Sequence, residues 1–134
     1  MTPLLTVRLF IPKRLTSRLN GSAARAHWSV ISRESTAWKH AVTVAWLAAD
    51  KPTAWGPAHV VFTAYVGRPW DQDNLVAALK SCRDEVVRLV LGTDDGPAAG
   101  HTYEYAQAVR PRVERGVLIT IAVPRPICGE GSAG

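Results

Sequence analysis

Segments with an apolar residue at every second position are interspersed along this chain with segments in which apolar residues recur at helical spacing. This order of segments is compatible with few folds. Four stretches place apolar residues at every second position and are rich in β-formers, which predicts strands; they are Leu5–Ile11, His59–Val66, His101–Val109 and Gly116–Val123. Two longer stretches repeat apolar residues at helical spacing. The first predicted helix runs from about Ser29 or Ser32 to Ala49, and the second from about Leu75 to Leu91.

The predicted element order is therefore β-α-β-α-β-β, an α/β (α+β) fold with a mixed sheet packed by two helices. The last two strands, joined by the basic loop 110–115, predict an antiparallel hairpin. With 134 residues and 47% hydrophobic residues, one small domain is expected over residues 1–124. The Gly-, Pro- and Ser-rich residues 125–134 predict a flexible tail.

Several classes of protein are excluded or disfavoured by composition. No run of about 18 apolar residues exists to span a membrane, and the first residues lack the pattern of a signal peptide. The chain holds 2 cysteines, with neither a CxxC motif nor a Cys/His cluster, which argues against a disulfide framework and a structural zinc site. We expect a cytoplasmic protein.

The charge is unevenly distributed. Residues 1–70 carry nine Lys or Arg against Glu34 and Asp50, a balance of +7 within a total of +5. Residues 71–95 carry six acids against three basic residues, a balance of −3. A basic surface rich in arginine favours a polyanionic partner, although a solvated basic face on a small domain is the plain alternative.

Acidic residues gather in two places. Asp71 and Asp73 are two residues apart after a predicted strand, where extended backbone would point both carboxylates the same way. Asp94 and Asp95 follow the next helix. Two carboxylates 4 Å apart repel by about 4 kcal/mol at an effective dielectric of about 20, so convergence would call for a cation such as Mg²⁺, with Mn²⁺ as a substitute. Taken singly, Asp73 is also a good helix N-cap, and the other acids are ordinary turn residues.

Candidate DNA contacts surround these acids. They are the loop residues Lys13, Arg14, Arg18 and Arg25, the loop residue Arg110, and Trp70 as an exposed stacking residue. Lys80 and Asp84 have the spacing of an intrahelical ion pair, yet Lys80 could instead extend back towards a phosphate or carboxylate. Asn74 is either a helix cap or a support for Asp71 and Asp73.

The segment Asp71-Gln72-Asp73-Asn74-Leu75, the following helix, the Asp94–Asp95 pair and the strand pair ending at Gly116–Ile121 resemble the RusA-like endodeoxyribonucleases. Members of this family resolve Holliday junctions, and the resemblance spans roughly Leu5 to Pro124. The early residues, Pro12–Asn20, His27-Trp28 and Trp38, are also similar to the N-terminal half of that family.

This resemblance implies a homodimeric, Mg²⁺-dependent nuclease that cuts four-way DNA junctions in recombination and repair. Asp71, Asp73 and Asp95 match the three catalytic, metal-binding acids, and Asp94 is a supporting ligand. The family lysine stands nearer the acidic motif, at the position of Ala77, so its role is assigned here to Lys80, with Asp84 beside it. The alternative is a non-catalytic basic nucleic-acid-binding protein of phage or prophage origin.

Overall fold

The computed structural model describes residues 4–15, 28–54, 57–92 and 100–124. Its strands are β1 (Leu4–Ile11), β2 (His59–Val66), β3 (Thr102–Val109) and β4 (Gly116–Pro124). Its helices are α1 (Trp28–Ala48), α2 (Gln72–Ala78) and α3 (Lys80–Val86), followed by a π-helical turn (Val87–Leu91), with a 3-10 turn (Arg112–Glu114) before β4. The predicted small α+β domain with a mixed sheet is confirmed. Residues 125–134, the predicted tail, lie outside the described residues.

The sheet has the order β1-β4-β2-β3. Strand β4 runs antiparallel to both β1 and β2, whereas β3 runs parallel to β2. The predicted hairpin is therefore wrong, because β2 lies between β3 and β4. A parallel pair requires a crossover connection, which the α2–α3 segment supplies between β2 and β3.

One face of the sheet forms the core with the helices. From Val7 onward, the alternate residues of β1, β2 and β4 that face the helices are buried, and they include Ile11, Phe62 and Ile119, each fully buried. From α1, Trp38 and Val42 complete this core. The predicted helix face holds for these two side chains, but Ala49 is exposed and lies beyond the end of α1.

The second helix begins three residues earlier than its apolar pattern predicts. Asp71 occupies the N-cap position, and its backbone carbonyl accepts a hydrogen bond from the Leu75 amide at 2.9 Å. Within the described helix, the Asp71 side chain makes no capping hydrogen bond. The prediction of Asp73 or Asn74 as N-cap is therefore wrong: both lie inside the first turn, where the acidic Asp73 interacts favourably with the helix dipole.

The helical spacing predicts that Leu75, Leu79, Cys82, Val86 and Leu89 share one buried face, and the structure agrees except that Leu89 is only partly buried. Leu75, Leu79, Cys82 and Val86 are fully buried. Burial raises the pKa of the Cys82 thiol, so Cys82 is an inert core residue. No described helix combines the length and the apolar content needed to cross a bilayer.

Glu85 is an acidic residue buried beneath α1. Its carboxylate accepts hydrogen bonds from Arg88 Nη2 at 2.6 Å and from Thr43 Oγ1 at 3.1 Å. The pKa of Glu85 lies below its ordinary value of 4.5, and the hydrogen bond from Arg88 is the largest cause. The hydrogen bond from Thr43 also lowers this pKa, whereas partial desolvation of the carboxylate raises it. The charged form of Glu85 therefore stabilises the fold.

We predict that Glu85→Gln lowers the free energy of unfolding by about 1–2 kcal/mol at neutral pH. Because the folded pKa is depressed, this contribution is present above pH 4.5 and is lost as the pH falls through the folded pKa. Urea unfolding of the wild type and of Glu85→Gln should be measured from neutral to acidic pH. The difference between their free energies of unfolding should shrink as the pH falls. Glu104→Gln, at a side chain that is 61% exposed, is the control and should change stability little. A constant difference at every pH would contradict the role of the Glu85 charge.

Candidate functional site

The chain segment that leaves β2 is fixed by a side chain of the neighbouring strand. The Trp70 amide donates a hydrogen bond to Gln107 Oε1 at 2.8 Å, and Gln107 Nε2 donates one to the Trp70 carbonyl at 2.8 Å. These two hydrogen bonds resemble those between backbone groups of paired strands. They fix the backbone of Trp70, the residue immediately before Asp71. Gln107 thereby positions the start of α2 against the edge of the sheet.

Asp71 and Asp73 are both exposed at the start of α2. Asp71 has extended backbone, with φ −65° and ψ 146°, but Asp73 is already helical. The expectation that extended backbone aims both carboxylates in one direction is therefore wrong. What the structure does provide is two solvent-facing carboxylates within one turn of a helix start, and no described basic side chain forms an ion pair with either of them.

The predicted supporting residues, Asn74, Lys80 and Asp84, follow Asp73 along the same helical segment. Asn74 is buried, with 9% of its surface exposed. Lys80 Nζ lies 3.0 Å from Asp84 Oδ2, so Lys80 forms the intrahelical ion pair. Its side chain remains 59% exposed and pairs towards the C-terminal end of α3 rather than back towards Asp73. The role of the family lysine at Lys80 stays a prediction.

Arg83 lies beside this ion pair and joins α3 to β3. Its Nη1 donates a hydrogen bond to the Tyr105 hydroxyl at 2.8 Å, and its guanidinium lies 5.2 Å from the Tyr103 ring centroid. Arg83 Nε is also 4.0 Å from Asp84 Oδ1. These contacts give Arg83 a structural role between the helix and the edge strand.

The predicted third and fourth carboxylates, Asp94 and Asp95, lie outside the described residues. Among the described residues, no three His, Cys, Asp or Glu side chains group so that they could hold a metal ion. The donors of Asp71 and Asp73 are nevertheless of the right kind, because exposed carboxylate oxygens are the ligands that Mg²⁺ and Mn²⁺ prefer. Two of the four predicted ligands thus lie in the described part of the chain, and their role in binding a metal stays a prediction.

The basic candidates divide into those held by other side chains and those facing solvent. Lys13 Nζ lies 2.8 Å from Glu34 Oε1 and 5.0 Å from the Trp38 ring centroid, so its charge is already engaged. Arg14 is exposed, as predicted for a DNA contact. Arg18 and Arg25 lie outside the described residues.

Arg14 lines a depression of about 240 Å³ near the end of β2, and Trp70 lines it as well. Trp70 is less exposed than predicted, since its side chain is partly buried and packs against the core, and its role as a stacking residue stays a prediction. Its position in the depression still places an aromatic ring one residue before Asp71. Arg115, on the other side, completes the lining with a second guanidinium.

Arg110 lies farther along the same edge. Its guanidinium is 5.3 Å from the Tyr65 ring centroid, and its Nε is 4.0 Å from Glu114 Oε1. Arg110 is exposed, but part of its charge is balanced by Glu114.

Sequence reasoning missed Gln107 as a positioning residue and Tyr65 as a surface residue of the site. Tyr65 occupies the outward-facing phase of β2, so its position could be read from the alternation of that strand. The role of Gln107 depends on a partner 37 residues away, and no local pattern predicts it.

Comparison with known proteins gives no further assignment for these residues. No protein family model matches the chain, and a search of curated proteins finds no match to it.

Proposed function

We propose that this chain is a Mg²⁺-dependent endodeoxyribonuclease that acts on four-way or otherwise branched DNA. The observation that carries the proposal is that the exposed carboxylates Asp71 and Asp73 follow Trp70 closely along the chain, and that Trp70 lines a depression together with Arg14 and Arg115. Anionic side chains next to arginines with no described acidic partner are the combination that a metal-dependent phosphodiesterase requires.

Each group has a distinct role in the proposal. Asp71, Asp73 and Asp95, with Asp94 in support, would hold the ion, which lowers the pKa of a bound water and stabilises charge on the phosphate. Arg14 and Arg115 bind DNA phosphates and orient the strand. Lys80 contributes positive charge if it leaves Asp84 when DNA is bound. Gln107 keeps the carboxylates in place through Trp70.

The assembly and its surroundings complete the proposal. A homodimer would bring two such sites to one junction and allow paired cuts in strands of like polarity. The protein would act in the cytoplasm, in DNA recombination and repair. The dimer and the role in recombination and repair are what the resemblance to the RusA-like family implies.

The direct test is cleavage of a synthetic four-way junction, assayed with Mg²⁺ and with EDTA in its place. We expect nicked duplex products with Mg²⁺ and intact junction with EDTA, because the phosphate charge is not stabilised without the ion. Binding in both conditions with cutting in neither would overturn the nuclease proposal. It would favour a non-catalytic basic nucleic-acid-binding protein, whose affinity should fall steeply with salt.

A further inference from the structure

Two depressions near the end of β2 both have Tyr65 in their lining. The larger, of about 400 Å³, is lined by Phe10, Tyr65, Arg110, Val113 and Glu114. The smaller, of about 240 Å³, is lined by Arg14, Leu15, Tyr65, Val66, Gly67, Trp70 and Arg115. We call the two together the Tyr65 groove. Its two halves differ in chemistry.

The larger half is nearly neutral and combines apolar and aromatic side chains with one ion pair. Phe10 and Tyr65 place their ring centroids 6.4 Å apart, and Phe10 is 43% exposed. Val113, in the 3-10 turn, is 92% exposed, so it contributes nothing to the core and stands at the rim. Arg110 and Glu114 balance each other's charge here. A volume of about 400 Å³ falls within the usual range of small-ligand sites, about 300–1,000 Å³.

The smaller half is cationic. Among the described residues, no carboxylate lies within 4.0 Å of a nitrogen of Arg14 or Arg115. The Arg115 guanidinium packs directly over Gly67, where a Cβ would lie 2.8 Å from Arg115 Cζ. Arg115 Nε also points to the Arg110 carbonyl at 3.5 Å. The absence of a side chain at residue 67 therefore allows a guanidinium to lie across the floor of the groove.

The groove also lies next to the candidate carboxylates along the chain. Trp70 lines its cationic half and is held by Gln107 one residue before Asp71. A ligand that places its charge on Arg14 and Arg115 and its flat apolar part against Tyr65 matches the division of the groove. A nucleotide has this composition, because its phosphate is anionic and every base has a π-face.

We propose that the Tyr65 groove binds an unpaired nucleotide of a branched DNA, next to the strand position that is cut. The base packs against Phe10, Tyr65 and Val113, and the flanking phosphates bind Arg14 and Arg115. The proposal rests on the proposed function in taking DNA as the ligand, and it makes unpaired bases the feature that the protein recognises. A paired base cannot enter, since its faces are covered by its neighbours in the duplex.

The test compares the affinity of the full chain for two fluorescein-labelled DNAs by anisotropy in EDTA, so that no cutting occurs. One is a duplex with a two-nucleotide bulge, and the other is the fully paired duplex. We expect wild type to prefer the bulged DNA. Arg115→Gln should weaken bulge binding about tenfold through the loss of one phosphate contact, and Val113→Ser about fourfold, because it removes part of the apolar surface against the base.

Matched controls come from exposed positions of α1. Val44, 50% exposed, and Arg33, also exposed, lie on a different element, so Val44→Ser and Arg33→Gln should leave the preference for bulged DNA unchanged. Because Val113 is almost fully exposed, Val113→Ser should fold normally, which thermal unfolding checks. Equal losses on both DNAs, or none on either, would overturn the groove proposal.

Failure of this proposal is distinguishable from failure of the nuclease proposal. If wild type cuts a junction with Mg²⁺ while Val113→Ser and Arg115→Gln keep the full preference for bulged DNA, the groove proposal alone is wrong. If the two variants lose that preference but wild type never cuts, the groove stands and the nuclease assignment is wrong.

Discussion

Replacing Asp73 with Asn should reduce DNA cleavage about a thousandfold, equivalent to about 4 kcal/mol of transition-state stabilisation. The amide keeps the shape of the side chain but removes the anionic oxygen that Mg²⁺ prefers. Asp73 is exposed in the first turn of α2, so the fold should be retained. Binding to the junction should survive or tighten, because one negative charge facing the DNA is removed. Single-turnover cleavage and anisotropy on one junction measure both effects.

Asp50→Asn is the matched control for this variant. Asp50 is exposed and adopts a left-handed backbone with φ 71°, a conformation that Asn accepts well. It therefore makes the same charge change without strain and should cut at the wild-type rate. Asp71→Asn should behave as Asp73→Asn does. Near-normal cutting by both Asp71→Asn and Asp73→Asn would remove these two carboxylates from the site.

Gly116→Ala should lower the free energy of unfolding by about 3 kcal/mol, the upper range for overpacking a close-packed site. A Cβ at Gly116 would lie 2.5 Å from the Ile11 carbonyl oxygen and 2.7 Å from Phe10 Cζ. The carbonyl belongs to the backbone of β1, so the strand itself must shift. Urea unfolding followed by circular dichroism measures the loss.

Gly92→Ala separates this steric effect from the general cost of replacing glycine. Gly92 has φ 67°, and a Cβ added there would meet no atom of the described residues within 4 Å, so we expect its substitution to cost only backbone strain, about 1–2 kcal/mol. A loss at Gly116 no greater than that at Gly92 would show that β1 and Phe10 adjust freely. Because Phe10 lines the Tyr65 groove, Gly116→Ala should also weaken binding to bulged DNA.

The fold could be predicted from the sequence wherever a residue's environment is set locally. The bounds of β2 agree with the prediction, His59–Val66, since its alternation is regular and a proline lies near each end. The predicted start of α2 is three residues late because Gln72 and Asp73 are exposed. Periodicity reports only the buried face of a helix, and these first two residues of α2 do not belong to that face.

The strand order could not be predicted in the same way. A short loop between β3 and β4 favours a hairpin when only neighbouring residues are considered. Burial does not reveal the order either, because alternate residues are buried both in the interior strand β2 (Val60, Phe62, Ala64 and Val66) and in the edge strand β1 (Val7, Leu9 and Ile11). Neighbouring strands are about 4.8 Å apart, so the residues between β3 and β4 easily pass across the end of β2.

The candidate site shows the same division between local and distant determinants. The exposed positions of Asp71, Asp73 and Arg14 follow from their sequence setting. The hydrogen bonds between Gln107 and Trp70 depend on the parallel pairing of β2 with β3. The packing of Arg115 over Gly67 depends on the turn before β4. Residues that meet through such pairing leave no periodic signal.

The central place of β4 has a consequence for how the chain is made. The register pairs Leu4 with Pro124 and Ile11 with Val117, so the first strand to leave the ribosome waits for the last. At about 5–20 residues per second, the backbone hydrogen-bonding groups of β1 that face β4 stay unpaired for several seconds, while β2, α2, α3 and β3 can already assemble. We therefore expect nascent chains halted before residue 116 to depend on chaperones, and completed chains to be released from them once β4 inserts between β1 and β2.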